Sequence, residues 1–384
     1  IDIGGTFSGE ITIEENEVTS DLTIAGIYIE NNGEYQKATN IPEEGYTLNT
    51  EESTCNNNAS IGWDSEEEQI YVSNLNTTNT ECTLYFDEHV PTAGETILVN
   101  YPTKLTRDDF STTLTNTTTG TIYYEDTSKG RTYYFAGNPT DNWVQFGGFY
   151  WRIIRINEDG TIRMIYQGTS TNTNASNASI GTSSFNSANN NNMYVGYMYQ
   201  NEQVHGLTSN STIKGVLDTW FQNNLMNEAN KIDGNAGFCN DRTLYSGSGI
   251  GTSTTYYAAY NRLVNNKQPS FECSNSSDLF TTTGSANGNK SLQYPIGLIT
   301  ADEIAYAGGV QNTINNQFYL YTETDYWTIT PYSYPTATGF TMNYIGNFDF
   351  GDMRDTLDIR PVINLRADLN LSGSGTSTDP YRIA

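Results

Sequence analysis

A chain of 384 residues with 44 Asp and Glu against 18 Lys and Arg carries a formal net charge of −26. That balance excludes a nucleic-acid or anionic-membrane partner, since both need clustered cations. The length exceeds what one core usually serves, so two or three domains are expected. Abundant aromatic and β-branched residues among Asn, Thr, Ser and Gly favour strands joined by turns. The expected class is mainly β, with α+β character in the C-terminal half.

Residues 1–88 predict a small β-sandwich module. Ile1, Ile3, Ile11 and Ile13 share one parity, as a half-buried strand requires. Residues 22–29, 69–72 and 82–86 supply further strands, and the Asn- and Glu-rich stretches between them are turns. The four cysteines, Cys55, Cys82, Cys239 and Cys273, form no CxxC pair and have no nearby His, which argues against zinc. Their order suggests two local bridges, Cys55–Cys82 and Cys239–Cys273. Three connectivities stay open, as do four free thiols. A bridge closing a loop of this length would contribute ~3–4 kcal/mol and requires an oxidising location.

Residues 89–130 predict a linker, because Pro91 and Gly94 interrupt the pattern and a Thr-rich stretch follows. From residue 131 to 384 one larger domain is expected. Residues 149–156 and 161–166 flank Asn157-Glu158-Asp159-Gly160, a hairpin signal in which Asp-Gly supplies positive φ. The Asn- and Ser-rich run 169–192 predicts a long surface loop. Ile213, Val216, Leu217, Trp220, Phe221 and Leu225 follow helical spacing behind Ser211 as N-cap. Thr300 and Glu303 form a capping box, and Gly308 stops that second helix. Both helices are expected to pack into the core. No apolar run is long enough to span a bilayer. With no initiator Met and no visible signal peptide, the chain is expected to be an exported product whose leader has been removed.

Catalytic motifs do not emerge. His89 and His205 have no HExxH partner, and no Ser or Cys sits in a nucleophile elbow. Gly247, Gly249 and Gly251 match no phosphate-binding loop and predict a flexible one. Glu43-Glu44, Glu51-Glu52 and Asp108-Asp109 are adjacent in sequence, as solvated charge is, rather than opposed across a cleft. No enzyme and no cofactor are expected. Asp349, Asp352, Asp355 and Asp358 recur in a loop-like stretch and offer oxygen ligands for Ca²⁺. Their spacing matches no EF-hand, and a solvated loop is the favoured reading. Asn-x-Ser/Thr triplets at Asn58, Asn76, Asn174, Asn210 and Asn275 are glycosylation acceptors of a kind this composition produces by chance.

From 326 to 360 the character changes. Tyr332, Tyr334, Phe340, Tyr344 and Phe350, with Asn347 and Asp349, form a mixture like that of an antibody paratope. Alternating aromatics in a β core give the same pattern. The blocks FYWRIIRIN (149–157), YVGYMY (194–199), AGFCNDR (236–242), PIGLITADE (295–303) and the stretch 327–365 resemble exported proteins of gut Firmicutes and related bacteria. The C-terminal half is also similar to the C-type-lectin-like fold of formylglycine-generating-enzyme relatives. That group includes the variable proteins of diversity-generating retroelements. The resemblance implies a C-type-lectin-like domain over 131–384, with two helices and long loops. Tyr332, Tyr334, Phe340, Tyr344, Asn347, Asp349 and Phe350 would be its ligand-binding display positions, and Trp327, Arg360 and Pro361 its framework. Catalytic members need cysteines near the C-terminus, and none follows Cys273 here, so enzyme function is not implied. The expectation is an extracellular adhesin binding a protein or glycan on another cell or host surface. The alternatives are a filament or pilus subunit displaying the lectin-like domain, which the strand-like start at Ile1 would suit, and a glycan-cleaving enzyme.

Overall fold

The computed structural model describes residues 11–13, 22–42, 45–64, 69–75, 79–172, 174–284 and 287–384. Ile1, Ile3, the Glu43-Glu44 pair and the triplet at Asn76 lie outside them. The chain divides between Pro91 and Thr92 into two compact units, and strands predominate in both.

The first unit contains β1 (Ile11–Ile13), β2 (Leu22–Asn31), β3 (Glu34–Ala38), β4 (Tyr46–Leu48), β5 (Thr54–Cys55), β6 (Ser60–Asp64), β7 (Gln69–Ser73) and β8 (Thr80–Glu88). One sheet has the order β1-β7-β6. The other runs β3-β2-β8-β4, with β5 also on β8. In β8 the alternation turns Cys82, Leu84 and Phe86 inward. They join Leu22, Ile27 and Leu48 of the same sheet and Ile70 and Val72 of β7 in one core that both sheets line. Cys55 faces Cys82 directly across β5 and β8. The bridges formed are Cys55–Cys82, with Cα atoms 4.1 Å apart, and Cys239–Cys273, at 5.7 Å. Two disulfides of this kind belong to an oxidising, non-cytoplasmic compartment.

The second unit opens with helix α1 (Ala93–Leu98), β9 (Thr103–Leu105), β10 (Thr121–Thr127), β11 (Gly130–Tyr134), β12 (Trp143–Phe146), β13 (Phe149–Ile156) and β14 (Ile162–Gly168). Next come β15 (Thr182–Ser183), helix α2 (Thr212–Asn224), β16 (Leu244–Ser246), β17 (Thr255–Tyr257), the helical turn α3 (Ala258–Tyr260) and helix α4 (Ala301–Ala307). The chain closes through β18 (Tyr326–Tyr334), β19 (Thr338–Met342), β20 (Phe348–Asp352), β21 (Leu357–Asp358) and β22 (Val362–Leu365). One sheet has the order β22-β14-β13-β11-β10-β9, with β12 on β13. The other has the order β15-β21-β18-β17-β16, extended by β19 on β18 and β20 on β19. Both sheets and the helices share a core that includes Trp151, Met164, Leu217, Ile304, Trp327 and Ile363. Every residue of β14 is buried, Arg163 and Gln167 included, so both faces of that strand are covered.

The predicted hairpin is β13–β14. Gly160 supplies the positive φ, at 77°. Asp159 acts differently from expectation: its Oδ1 accepts from the Thr161 amide at 3.0 Å and hydroxyl at 2.6 Å. Ser211 caps α2 through the Lys214 amide. The Thr300–Glu303 capping box forms on α4, and Gly308 ends the helix in the left-handed region.

Two expectations are corrected. Residues 92–130 are not a linker but the opening elements of the second unit. Thr92 and Glu95 make a capping box for α1, while Ile97, Tyr101 and Ile122 are fully buried. Gly94 is no breaker here. A Cβ at that position would lie 2.5 Å from Ile156 Cγ2 and 2.9 Å from the Gly160 carbonyl, so glycine lets α1 close on the hairpin. The run 169–192 is likewise more than a surface loop. It carries β15, and Phe185 is buried against Trp327, with ring centroids 5.6 Å apart. Trp327 Nε1 donates to the Ser183 carbonyl at 3.0 Å. Among the described residues no helix is long and apolar enough to cross a membrane.

Gly94→Ala tests the placement of α1. In an unpacked helix Ala is favoured over Gly by about 1 kcal/mol. Overpacking against Ile156 and Gly160 should instead destabilise the second unit by ~1–3 kcal/mol. Calorimetry should show a lowered melting transition for that unit alone, and an unchanged or raised one would detach α1 from the core.

Candidate functional site

Four aromatic rings form a ladder on the second sheet. Phe350, from the middle of β20, is 48% exposed and stacks on Tyr332 of β18 at 4.4 Å and 17°. Tyr332 meets Tyr260 edge-on at 5.2 Å, and Tyr260 tilts against Tyr256 at 4.6 Å. The ladder thus crosses from β20 over β18 to the turn α3. Offset and edge-to-face contacts of this kind hold rings in fixed orientations. Burial, then Tyr260 and Asp349, push the Tyr332 phenol up to about 12.

The predicted display residues separate into two groups. Tyr344, 62% exposed, stands in the turn between β19 and β20. Asn343 Oδ1 fixes that turn by accepting from the Ile345 and Asn347 amides. Phe350 is open, and Asn347 and Asp349 are half-buried beside it. Phe340 is buried under Tyr332, at 4.9 Å. Tyr334 is 5% exposed, with its hydroxyl donating to the Asn190 carbonyl at 3.1 Å. Tyr332 keeps 9% exposure, at the ladder's middle. Tyr334 and Phe340 are therefore core rather than display positions, because residues 169–192 and the neighbouring strands cover their faces. Trp327 and Arg360 are buried as well.

Asn347 Nδ2 donates to Asp349 Oδ2 at 3.3 Å. The Oδ1 atoms of Asn347 and Asp349 have no partner among the described residues. Burial pushes the Asp349 carboxyl above its ordinary range. The acidic series does not converge on a point. Strand alternation turns Asp349 and Asp352 to opposite sides of β20. Asp352 accepts from Asn189 Nδ2 and Arg354 Nε, Asp355 caps the Asp352 amide, and buried Asp358 accepts from Ser179. Among the described residues no three His, Cys, Asp or Glu are placed to hold a metal ion. The calcium set Asp349, Asp352 and Asp355 is thus not assembled, since each carboxylate serves a local bond.

A cleft of about 390 Å³ opens beside the hairpin turn, α4 and the Cys239–Cys273 bridge. Its charged lining was not anticipated. Glu303 Oε1 lies 2.5 Å from Arg163 Nε and 3.0 Å from Arg155 Nε, while Oε2 accepts the Thr300 amide at 2.9 Å. Burial alone would push the Glu303 carboxyl up. Arg163, Arg155 and the Thr300 amide outweigh it and hold the carboxyl below its ordinary range. Arg262 forks Asp302 at 2.7 and 2.9 Å and reaches Asp241 at 2.8 Å. Asp241 and Asp302 are thus both engaged by Arg262, and Glu303 by Arg163 and Arg155. The signal for these residues was present in the sequence. Arg152, Arg155 and Arg163 interrupt otherwise apolar strands, and charge at such positions demands a buried partner.

His205 Nδ1 sits 3.0 Å from Asp278 Oδ2, and Arg242 also binds that fully buried carboxylate. Asn275 lies 3.2 Å from His205 Nε2, whereas Asn58, Asn174 and Asn210 are exposed. No family model, curated protein or solved structure matches the chain.

Glu303→Gln should leave Arg155 and Arg163 without their counter-charge and cost the second unit ~3–5 kcal/mol. The Glu303 pKa is lower folded than unfolded. Its stabilisation is therefore complete above the unfolded value, about 4.3, and is lost as pH falls through the folded one. Urea midpoints measured across that acid range should fall more steeply in the native chain than in Glu303→Gln. Equal slopes would remove Glu303 from the acid response.

Proposed function

We propose that this chain is an exported, non-enzymatic adhesin of a bacterial cell surface that holds a glycan against the ladder Phe350–Tyr332–Tyr260–Tyr256. The observation that carries this reading is Phe350, a large ring half-exposed in mid-strand and aligned face to face with Tyr332. An aromatic face at a sheet surface stacks against the apolar C–H face of a sugar ring, and its orientation is prepared before binding. Tyr344, exposed in the adjoining turn, offers a hydroxyl to the same ligand. In this reading the first unit is a small β-sandwich module and the second a C-type-lectin-like scaffold. The two-sheet core of the first unit and the sheets with two principal helices of the second support both assignments. The ladder works through ring faces and requires no metal. A non-enzymatic role is supported by the cleft, whose buried carboxylates are each clamped by a guanidinium.

A glycan array probed with the oxidised protein, followed by titration of the best binder, tests the reading. Phe350→Ala should weaken that glycan about tenfold or more, equivalent to ~1.4 kcal/mol, while loss of one stacked ring pair lowers the stability of the second unit by only ~0.5–1.5 kcal/mol and leaves it folded. Tyr334→Ala should act through stability instead. A protein that retains no glycan, or a Phe350→Ala variant that binds like the parent, would discard the proposal.

A further inference from the structure

The ladder does not account for the cleft. Charge there is unevenly used. At one side Arg262 is saturated by Asp302 and Asp241. At the other, two guanidiniums share Glu303, and only Arg163 is fully enclosed, at 1% side-chain exposure. Arg155 keeps 14% of its side chain exposed and engages Glu303 through Nε alone. Its Nη1 and Nη2 have no hydrogen-bond partner among the described residues. Glu158, which also feels the Arg155 charge, accepts from the Thr127 and Thr132 hydroxyls through Oε1 instead. The Arg155 guanidinium lies over the Phe271 ring at 5.1 Å, and Phe271 is itself fixed by stacking on Tyr306 at 3.8 Å.

The result is a donor fork held still from two sides, with its outer pair of nitrogens unengaged. That pair matches the two oxygens of a carboxylate. Beside it lie the edge of Phe271, whose faces carry Arg155 and Tyr306, the polar residues Asn235 and Ser128, the carboxylates Glu158, Asp159 and Glu272, and Lys129. A peptide C-terminus would bring the same carboxylate without a set of hydroxyls for Asn235, Ser128 and the carboxylates of the wall. A sugar acid brings a carboxylate and hydroxyls together. We infer that the cleft is a second ligand site, taking the carboxylate of an acidic sugar on Arg155 Nη1 and Nη2 with the sugar ring beside Phe271. The site is independent of the aromatic ladder and stands whether or not the ladder binds glycans. The volume of about 390 Å³ suits an end group of one or two rings.

Calorimetric titration of the full chain with trigalacturonic acid and with its methyl ester tests this without any substitution. The acid should bind and the ester should bind at least about tenfold more weakly, the scale of a charge-assisted pair. Arg155→Lys keeps a cation for Glu303 but removes the fork, and should weaken the acid by a similar factor. Phe350→Ala should leave it unchanged. Acid and ester binding alike, no binding of the acid, or parental affinity in Arg155→Lys overturns the assignment. So does loss of acid binding in Phe350→Ala, which moves the ligand to the ladder. A tripeptide acid such as Ala-Ala-Ala that binds more tightly than the sugar acid overturns the choice of ligand.

Discussion

The second unit is organised around one buried carboxylate. Glu303 closes the first turn of α4 through the Thr300 amide and at the same time neutralises Arg155 of β13 and Arg163 of β14. The segment that carries it touches both sheets. Gly297 bridges to Val362 of β22, the Ile329 amide of β18 donates to the Ile299 carbonyl at 2.9 Å, and the Ala301 amide donates to Thr330 Oγ1. Removing three charges from water is costly for each of them. Close geometry and several bonds to one carboxylate offset that cost. Glu303 is shared by two cations, and the less enclosed of them, Arg155, faces the cleft. A structural lock and a candidate binding group are thus the same side chain.

What was legible in the sequence was local. Thr300 with Glu303, Ser211 ahead of α2, and Gly160 in the hairpin each act within a few residues, so their spacing alone carried the information. The partners of Arg155 and Arg163 could not be found that way, because Glu303 lies 148 and 140 positions further on. Alternation in β18 to β20 showed which aromatic residues share a face. It could not show which faces other segments cover. Tyr334 is enclosed by the distant segment at Asn190 and Phe340 by the rings of Tyr332 and Phe348, whereas Phe350 and Tyr344 stay open. Gly94 misled for a related reason: glycine at close approach and glycine at a break look alike until the neighbour, here Ile156, is known.

The disulfides play unequal parts in this arrangement. Cys55–Cys82 joins opposed strands within the small core of the first unit, where little apolar area is available and a cross-link contributes a large share of stability. Cys239–Cys273 stands in the cleft wall. Asp241, which holds Arg262, lies two residues from one end of that bridge, and Phe271, which lies under Arg155, lies two residues from the other. The oxidising surroundings that the bridges require therefore also set the shape of the cleft.

The ladder and the cleft draw on the same two elements. Tyr260 and Arg262 sit two residues apart where α3 continues into a single π turn, Asn261–Asn265, and Thr330 and Tyr332 sit two apart on β18. Arg262 is held by Asp302 at the start of α4, so the anchor that fixes one side of the cleft also fixes the turn bearing Tyr260 of the ladder. Recognition by ring faces needs rings that do not rotate away, and recognition by a guanidinium fork needs a fork that does not relax toward its own counter-ion. A chain with a net charge of −26 has no general attraction for an acidic ligand, so any such ligand depends on local geometry rather than on long-range steering. Buried guanidinium–carboxylate pairs supply that rigidity to both surfaces.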